Sequence, residues 1–380
     1  MNPFLKPFRV GVAIVFLTTL APALFAAEVR FNEIQVIGTH NSYHIMPHES
    51  MLKLIATKMP DAAKGLEYTH RPLPEQFSLL GIRQIELDIA ADPQGGLYAD
   101  PKGIKIAAER GMPTGPNHDP QGVLRKPGMK ILHVEDFDFR STVLTFVEGL
   151  RQIRQWSETH PRHVPIFVLV ELKEDSIGPE FTQPVPFGPH ELDAIDAEIL
   201  SVFKPGEILK PDDVRGSFAT LPEALRKNGW PTLDSVRGKV LFAMDNGGAV
   251  RDLYLKNHPA LKGRLLFVNV DEGDPAAAWM KMNDPITDFD KIQKLVKAGF
   301  LVRTRADTDT QQARANDPTQ RDKALASGAQ FISTDYPEPN LAFSSYRVSF
   351  EHGLAVRINP LIGNPAFKDK DLEKQPVANH

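Results

Sequence analysis

The chain has 380 residues, 42% of them hydrophobic and 24% charged, with no cysteine and a formal net charge of −4. It is too apolar for a disordered protein, and the missing thiols exclude disulfide frameworks, thiolate zinc sites, iron–sulfur clusters and cysteine nucleophiles. With 44 Lys+Arg against 48 Asp+Glu it carries no electrostatic footprint for nucleic acid, which leaves a globular enzyme or binding protein.

Residues 1–27 read as a secretory signal peptide. Lys6 and Arg9 precede an apolar run from Val10 to Leu20, and Pro22 with Ala26 and Ala27 closes it. The run is short for a bilayer span, although an uncleaved anchor is the alternative. A secreted or periplasmic location is therefore expected.

Short aliphatic and β-branched runs then recur at Ile34–His40, Ile82–Ile89, Met129–Val134, Val164–Leu172, Lys239–Asp245, Leu265–Val270, Leu301–Ala306 and Ala329–Asp335. Helical periodicity fills the gaps, clearest over Thr142–His160, Pro189–Phe203, Pro285–Ala298 and Gln311–Ala326. Ser141 or Thr142 and Thr220 supply helix-start chemistry, while Gly299 and Gly328 suit left-handed helix ends. Eight strands alternating with helices predict a single (β/α)8 TIM-type barrel over residues 28–340. A doubly wound open sheet is the alternative, but no strand leads into a dinucleotide fingerprint or a Walker loop. Beyond the barrel, residues 341–380 read as a short C-terminal hairpin and tail, with Tyr346–Phe350 and Leu354–Ile358 alternating around His352-Gly353.

Catalysis in such barrels sits at the C-terminal ends of the strands, and here those ends are loaded with polar residues. The first ends Thr39-His40-Asn41-Ser42-Tyr43-His44, the second Glu86-Leu87-Asp88, the third Leu132-His133 and the fourth Glu171-Leu172-Lys173. Period-two alternation puts Glu86 with Asp88, and Glu171 with Lys173, on common faces. Three carboxylates and an amide oxygen are hard ligands, suited to calcium or magnesium rather than zinc. Two histidines beside such an ion can move protons near neutral pH, and the ion would activate a hydroxyl and neutralise phosphoryl charge. Phosphodiester cleavage uses all of these elements. Lys173, Arg303 and Arg305 could hold the phosphate and Asp335 could orient a histidine; ion pairing within the barrel is the plainer role for the same residues.

The segments GTHNSYH, IELDIAADPQGG, ILHVEDFDFRSTVLTFVEGL and PIFVLVELKED together resemble the catalytic half of phosphoinositide-specific phospholipases C, the secreted bacterial calcium-dependent branch in particular. RTRADTDT and ALASGAQFISTDYP extend the resemblance over nearly all of the chain after the leader. The resemblance implies a (β/α)-barrel that cleaves the diester between diacylglycerol and inositol phosphate. It implies catalytic roles for His40 and His133, and calcium ligation by Asn41, Glu86, Asp88 and Glu171, with Mg2+ as the less favoured ion. It further implies attack by the inositol 2-hydroxyl, with His133 as the acid and His40 as base or charge stabiliser.

Two features depart from the broader family. The stretch between Asp88 and His133 is long, rich in proline and glycine, and contains His118, a second candidate for the acid. The fifth strand ends Met244-Asp245-Asn246-Gly247-Gly248, without the lysine pair that grips ring phosphates in the eukaryotic enzymes. Plain phosphatidylinositol or a related lipid at a membrane surface is therefore the expected substrate, with no obligate protein partner evident. A glycerophosphodiesterase or sphingomyelinase D-like phosphodiesterase on the same barrel, and a non-catalytic barrel that binds phosphorylated ligands, are the competing functions.

Overall fold

The structure, a computed structural model, describes residues 28–373, so the expected leader lies outside the described residues. Ten strands belong to one sheet: β1 (Ile34–Thr39), β2 (Gln84–Ala90), β3 (Lys130–Ile131), β4 (Ile166–Leu172), β5 (Val240–Met244), β6 (Leu266–Val268), β7 (Trp279–Lys281), β8 (Leu301–Arg305), β9 (Phe331–Thr334) and β10 (Val356–Ile358). Eight of them run parallel in the order β6-β5-β4-β2-β1-β9-β8-β7, and a parallel bridge between Asn269 and Trp279 brings β7 back to β6. The ends of the sheet thus meet in a nearly closed barrel, as expected, and not in an open doubly wound sheet. Among the described residues no helix is long and apolar enough to cross a membrane.

Each strand divides its residues between the lumen and the helical jacket. On β2, Leu87 packs toward Gly149 of the helix Phe146–Thr159, so Glu86 and Asp88, on the opposite face, point into the barrel. The lumen itself has two zones. Phe167 of β4 stacks on Phe331 of β9 with ring centroids 4.3 Å apart, and Trp279 of β7 meets Phe167 edge-on at 5.5 Å. These strands are not sheet neighbours, so the rings touch across the lumen and plug its lower half. An even number of residues further along the same strands come Glu171, Lys281 and, just past β9, Asp335. Apolar floor and charged mouth are therefore written on the same strand faces.

Three expected elements are corrected. The run Met129–Val134 does not join the barrel: only β3 is a strand, and it pairs antiparallel with the end of β2 (Ile89↔Ile131). The eighth barrel strand is β7, three residues long and too short to show a period. The tail does not fold on itself as a hairpin; β10 pairs antiparallel with the first half of β1 (Ile34↔Ile358, Val36↔Val356). That half of β1 would otherwise present an open edge, because β2 joins β1 only at Gly38↔Gln84. A side chain at Gly38 would collide with Gln84, so even this single pairing needs glycine. The expected helix Gln311–Ala326 is also two helices, Gln311–Ala315 and Thr319–Ala326. They are broken where Asn316 turns left-handed (φ +51°) ahead of Pro318.

Candidate active site

β1 delivers His40 and Asn41 to the mouth of the barrel. Asn41 takes a left-handed conformation (φ +43°), which asparagine tolerates better than most residues. The turn brings Ser42 against β2, where the Ser42 amide donates to the Glu86 carbonyl (2.9 Å) and the Ser42 hydroxyl accepts from the Glu86 amide (2.8 Å). This clamp sets His40 and Asn41 beside Glu86. Asp88 stands in register with Glu171 of β4, and Glu86, Asp88 and Glu171 each bring an oxygen within 4.8 Å of the others.

Bringing three carboxylates together out of water raises their energy, and the protonation behaviour shows it. Burial, opposed by Arg303, pushes Glu86 up to about 8. Burial and the neighbouring Glu171 drive Asp88 well above the usual carboxylate range. Burial would raise Glu171 as well, but the Lys173 ammonium holds it down. Both Asp88 oxygens and both amide atoms of Asn41 are buried without a hydrogen bond of regular geometry. Buried groups left in this state call for a partner. Clustered hard oxygen donors with hydrogen-bonding capacity left over suit a divalent cation of the calcium type, so the residues present fit Ca2+, with Asn41, Glu86, Asp88 and Glu171 able to hold it.

Two carboxylate–histidine couples flank this group. His40 places Nδ1 2.8 Å from Asp335 and Nε2 3.8 Å from Glu86. Burial, reinforced by Arg305, lowers His40 to about 3 even though Asp335 pulls the other way, so the ring is neutral at physiological pH. His133 places Nδ1 2.8 Å from Asp138, and Asp138 also lies 2.9 Å from Nε2 of the buried His44. Burial alone would raise Asp138, but the two imidazoles hold it below the usual range. His133 does not stand on a barrel strand. It sits in a turn after β3 that is closed by a bridge between Val134 and Asp138. His118 rests edge-on against Phe139 (4.8 Å), and it is absent from the residues lining the cavity over the mouth.

The expected phosphate-binding residues divide in two. Arg305 donates to Asp335 (3.0 Å) and lines the cavity together with His40, His133 and Asp335. Arg303, by contrast, is fully buried and engaged by Glu86 (2.6 Å), Ser333 (3.1 Å) and Asn283 (2.5 Å). It is a partner for Glu86 and does not face the cavity. Lys173 bridges Glu171 (3.1 Å) and Asp88 (3.4 Å). Lys281 of β7 is hydrogen-bonded to Asp245, completing an alternation of charge around the mouth. Sequence reasoning missed Lys281 because it missed β7. It missed Asp138 and His44 because their pairing is long-range, although His133 and Asp138 five residues apart are a signal for a tight turn. The cavity, about 1150 Å³, extends from His40 and Asp335 to Leu54 and Ile106.

The family model for Ca2+-dependent phosphoinositide phospholipase C matches residues 29–360. The chain belongs to that family of calcium-dependent, phosphodiester-cleaving enzymes. No curated protein sequence matches the chain. Among solved structures it is similar to the calcium-dependent phosphoinositol-specific phospholipase C of a Gram-negative Pseudomonas sp. in an apo crystal form, at 14% identity over 87% of this chain and 95% of that one, with a TM-score of 0.50. A second structure of that enzyme, described as a myoinositol complex, gives 15% identity, 87% and 96% coverage and a TM-score of 0.50. The phosphatidylinositol-specific phospholipase C of Streptomyces antibioticus gives 18% identity, 81% and 95% coverage and a TM-score of 0.48. At such identities the likeness is one of fold.

Proposed function

We propose that the enzyme cleaves phosphatidylinositol-type lipids to diacylglycerol and a cyclic inositol phosphate, using His40 and His133 as its proton-transfer groups. The observation that carries this reading is the placement of both imidazoles on one cavity, with His40 against the cluster of Glu86, Asp88 and Glu171.

With Nδ1–H committed to Asp335, His40 presents the Nε2 lone pair, which takes the proton from the inositol 2-hydroxyl as its oxygen attacks phosphorus. Asp138 holds His133 through Nδ1 in the same manner, leaving Nε2 to protonate the departing glyceryl oxygen. Arg305, fixed by Asp335, presents its guanidinium to the phosphate oxygens. Arg303 and Lys173 keep Glu86, Asp88 and Glu171 in place and partly compensate their mutual repulsion. Asn41 and these carboxylates would hold Ca2+, which would supply Lewis acidity at the reacting centre. Water, activated by the same pair of histidines, opens the cyclic product.

Phosphatidylinositol vesicles incubated with the protein should release water-soluble cyclic inositol phosphate, seen by phosphorus NMR. A chelator should stop the release and Ca2+ should restore it. Absence of any water-soluble inositol phosphate, cyclic or ring-opened, or turnover of glycerophosphocholine or sphingomyelin in its place, would overturn the reading. The leader at residues 1–27 supports export from the cytoplasm, and cell fractionation with N-terminal sequencing of the recovered protein tests it.

A further inference from the structure

The cavity is larger than an inositol phosphate needs, and its lining is of more than one kind. His40, Arg305 and Asp335 line it together with an apolar patch in which Leu54 and Phe137 pack on one cluster and Phe181 meets Phe137, while Lys58, Lys64, Arg110 and Arg314 line it elsewhere. The apolar wall starts at the acid itself, since Val134 and Phe137 belong to the same turn as His133 and Asp138. It is also a built wall. The helices Glu49–Ala56 and Lys102–Glu109 pack together through Met51, Ala107 and Phe139, a cluster separate from the main core.

Asp136 ties the parts of this wall to one another. Its carboxylate accepts from the Lys102 amide (2.7 Å), the Thr182 amide (2.7 Å) and the Thr182 hydroxyl (3.0 Å), and its carbonyl accepts from Gly103 (3.1 Å). A Cβ on Gly103 would strike that carbonyl, so the helix can approach this closely only with glycine there. Phe181 then meets Phe137 edge-on at 5.4 Å. The wall is ordered before any ligand arrives, which removes part of the entropic cost of binding one.

We infer that this apolar part of the cavity is a subsite for the hydrocarbon of the leaving group, so that the glyceryl backbone and first acyl methylenes of the lipid are bound by the protein itself. The inference rests on the function proposed above. It follows from continuity: the oxygen that leaves phosphorus is the one nearest the acid His133, and the atoms attached to that oxygen run onto Val134, Phe137 and the wall beyond. A lipid with its head group at His40 and Arg305 and its chains on Val134, Phe137 and Phe181 meets a lining of matching kind at both places. The consequence is a substrate preference that does not depend on a bilayer. Single, dispersed lipid molecules should be good substrates, and affinity for the transition state should grow with chain length.

The test uses monomeric substrates below their micelle concentrations: glycerophosphoinositol, which has no chains, then dibutyryl- and dihexanoyl-phosphatidylinositol. For the wild type, kcat/KM should rise along the series by up to about fourfold per methylene that enters the subsite. The ratio of kcat/KM for the dihexanoyl lipid to that for glycerophosphoinositol should fall at least tenfold in Ile106→Ser. Phe181→Ser, on a loop and so less able to disturb folding, should lower the same ratio. Leu341→Ser, at an exposed position outside the cavity lining, should leave the ratio as in the wild type. Equal kcat/KM for all three substrates, or a ratio unmoved by both cavity variants, overturns the subsite. A ratio that changes only when vesicles are supplied shows instead that these side chains dip into a membrane, which also overturns it. Failure to cleave any of the three substrates would count against the function proposed above, and is thereby distinguished from failure of the subsite.

Discussion

The two histidine couples look alike in isolation and are built in opposite ways. His40 and Asp335 come from the ends of β1 and β9, adjacent strands held in register from Val36↔Phe331 to Thr39↔Thr334. His133 and Asp138 come from one turn of an excursion between β2 and β4, braced from outside by His44. The first couple inherits its geometry from the barrel ladder, where every backbone bond fixes it. The second depends on a five-residue turn, the buried His44 imidazole behind it and the anchoring of Asp136 to Lys102 and Thr182. A barrel thus supplies one rigid histidine–carboxylate couple through its strands, and a loop can supply the other if side chains brace it.

The most direct way to break this comparison is to remove each imidazole. His40→Ala and His133→Ala should each lower kcat by roughly 10²–10⁴-fold while circular dichroism stays native. A loss below tenfold for His133→Ala would show that the excursion does not take part in chemistry. Removing the orienting carboxylates sharpens the contrast. Asp138→Asn and Asp335→Asn should each cost roughly 10–100-fold in kcat/KM. Asp335→Asn should also raise KM, because Arg305 loses its anchor, whereas Asp138→Asn should act mainly on kcat. Identical kcat and KM changes in the two variants would refute the division of roles.

The smallest effect concerns the ion. Glu86, held up to about 8 by burial, carries a proton at pH 7 when no cation is bound. A ligand carboxylate must be deprotonated, so Ca2+ binding should release protons at pH 7, with Glu86 among their sources. Affinity should rise with pH and level off above about 8. The linked stability has the opposite sign. A carboxyl raised in the folded state binds more protons there than when unfolded, so the calcium-free fold loses stability as pH climbs from about 4.5 to 8. Titration calorimetry in two buffers of different ionisation enthalpy reads the release directly, and equal heats in both would rule it out.

Much of the first couple's surroundings was legible in the sequence. Period-two alternation in Gln84–Ala90 and Ile166–Leu172 was enough to put Glu86, Asp88 and Glu171 on faces that converge once the barrel forms. The second couple was half legible. His133 was visible as a polar residue after an apolar run, but that run supplies only the two-residue β3, and the barrel strand it appeared to be is β7. Arg303 and Arg305 share a strand face and looked equivalent; burial against Glu86 separates one from the cavity that the other lines.

Local pattern, by itself, determined the fold class, the charge-loaded strand ends and the residue types of the site, because strand period and ligand hardness are properties of a few adjacent residues. Tertiary structure decided which carboxylate serves which histidine, which arginine faces the cavity, and that the tail closes the open edge of β1. Those outcomes rest on contacts between residues tens to hundreds of positions apart, such as Glu86 with Arg303 and Ile34 with Ile358. Such pairs are chosen by competition for burial and hydrogen bonds across the whole barrel, and no local stretch of sequence contains that information.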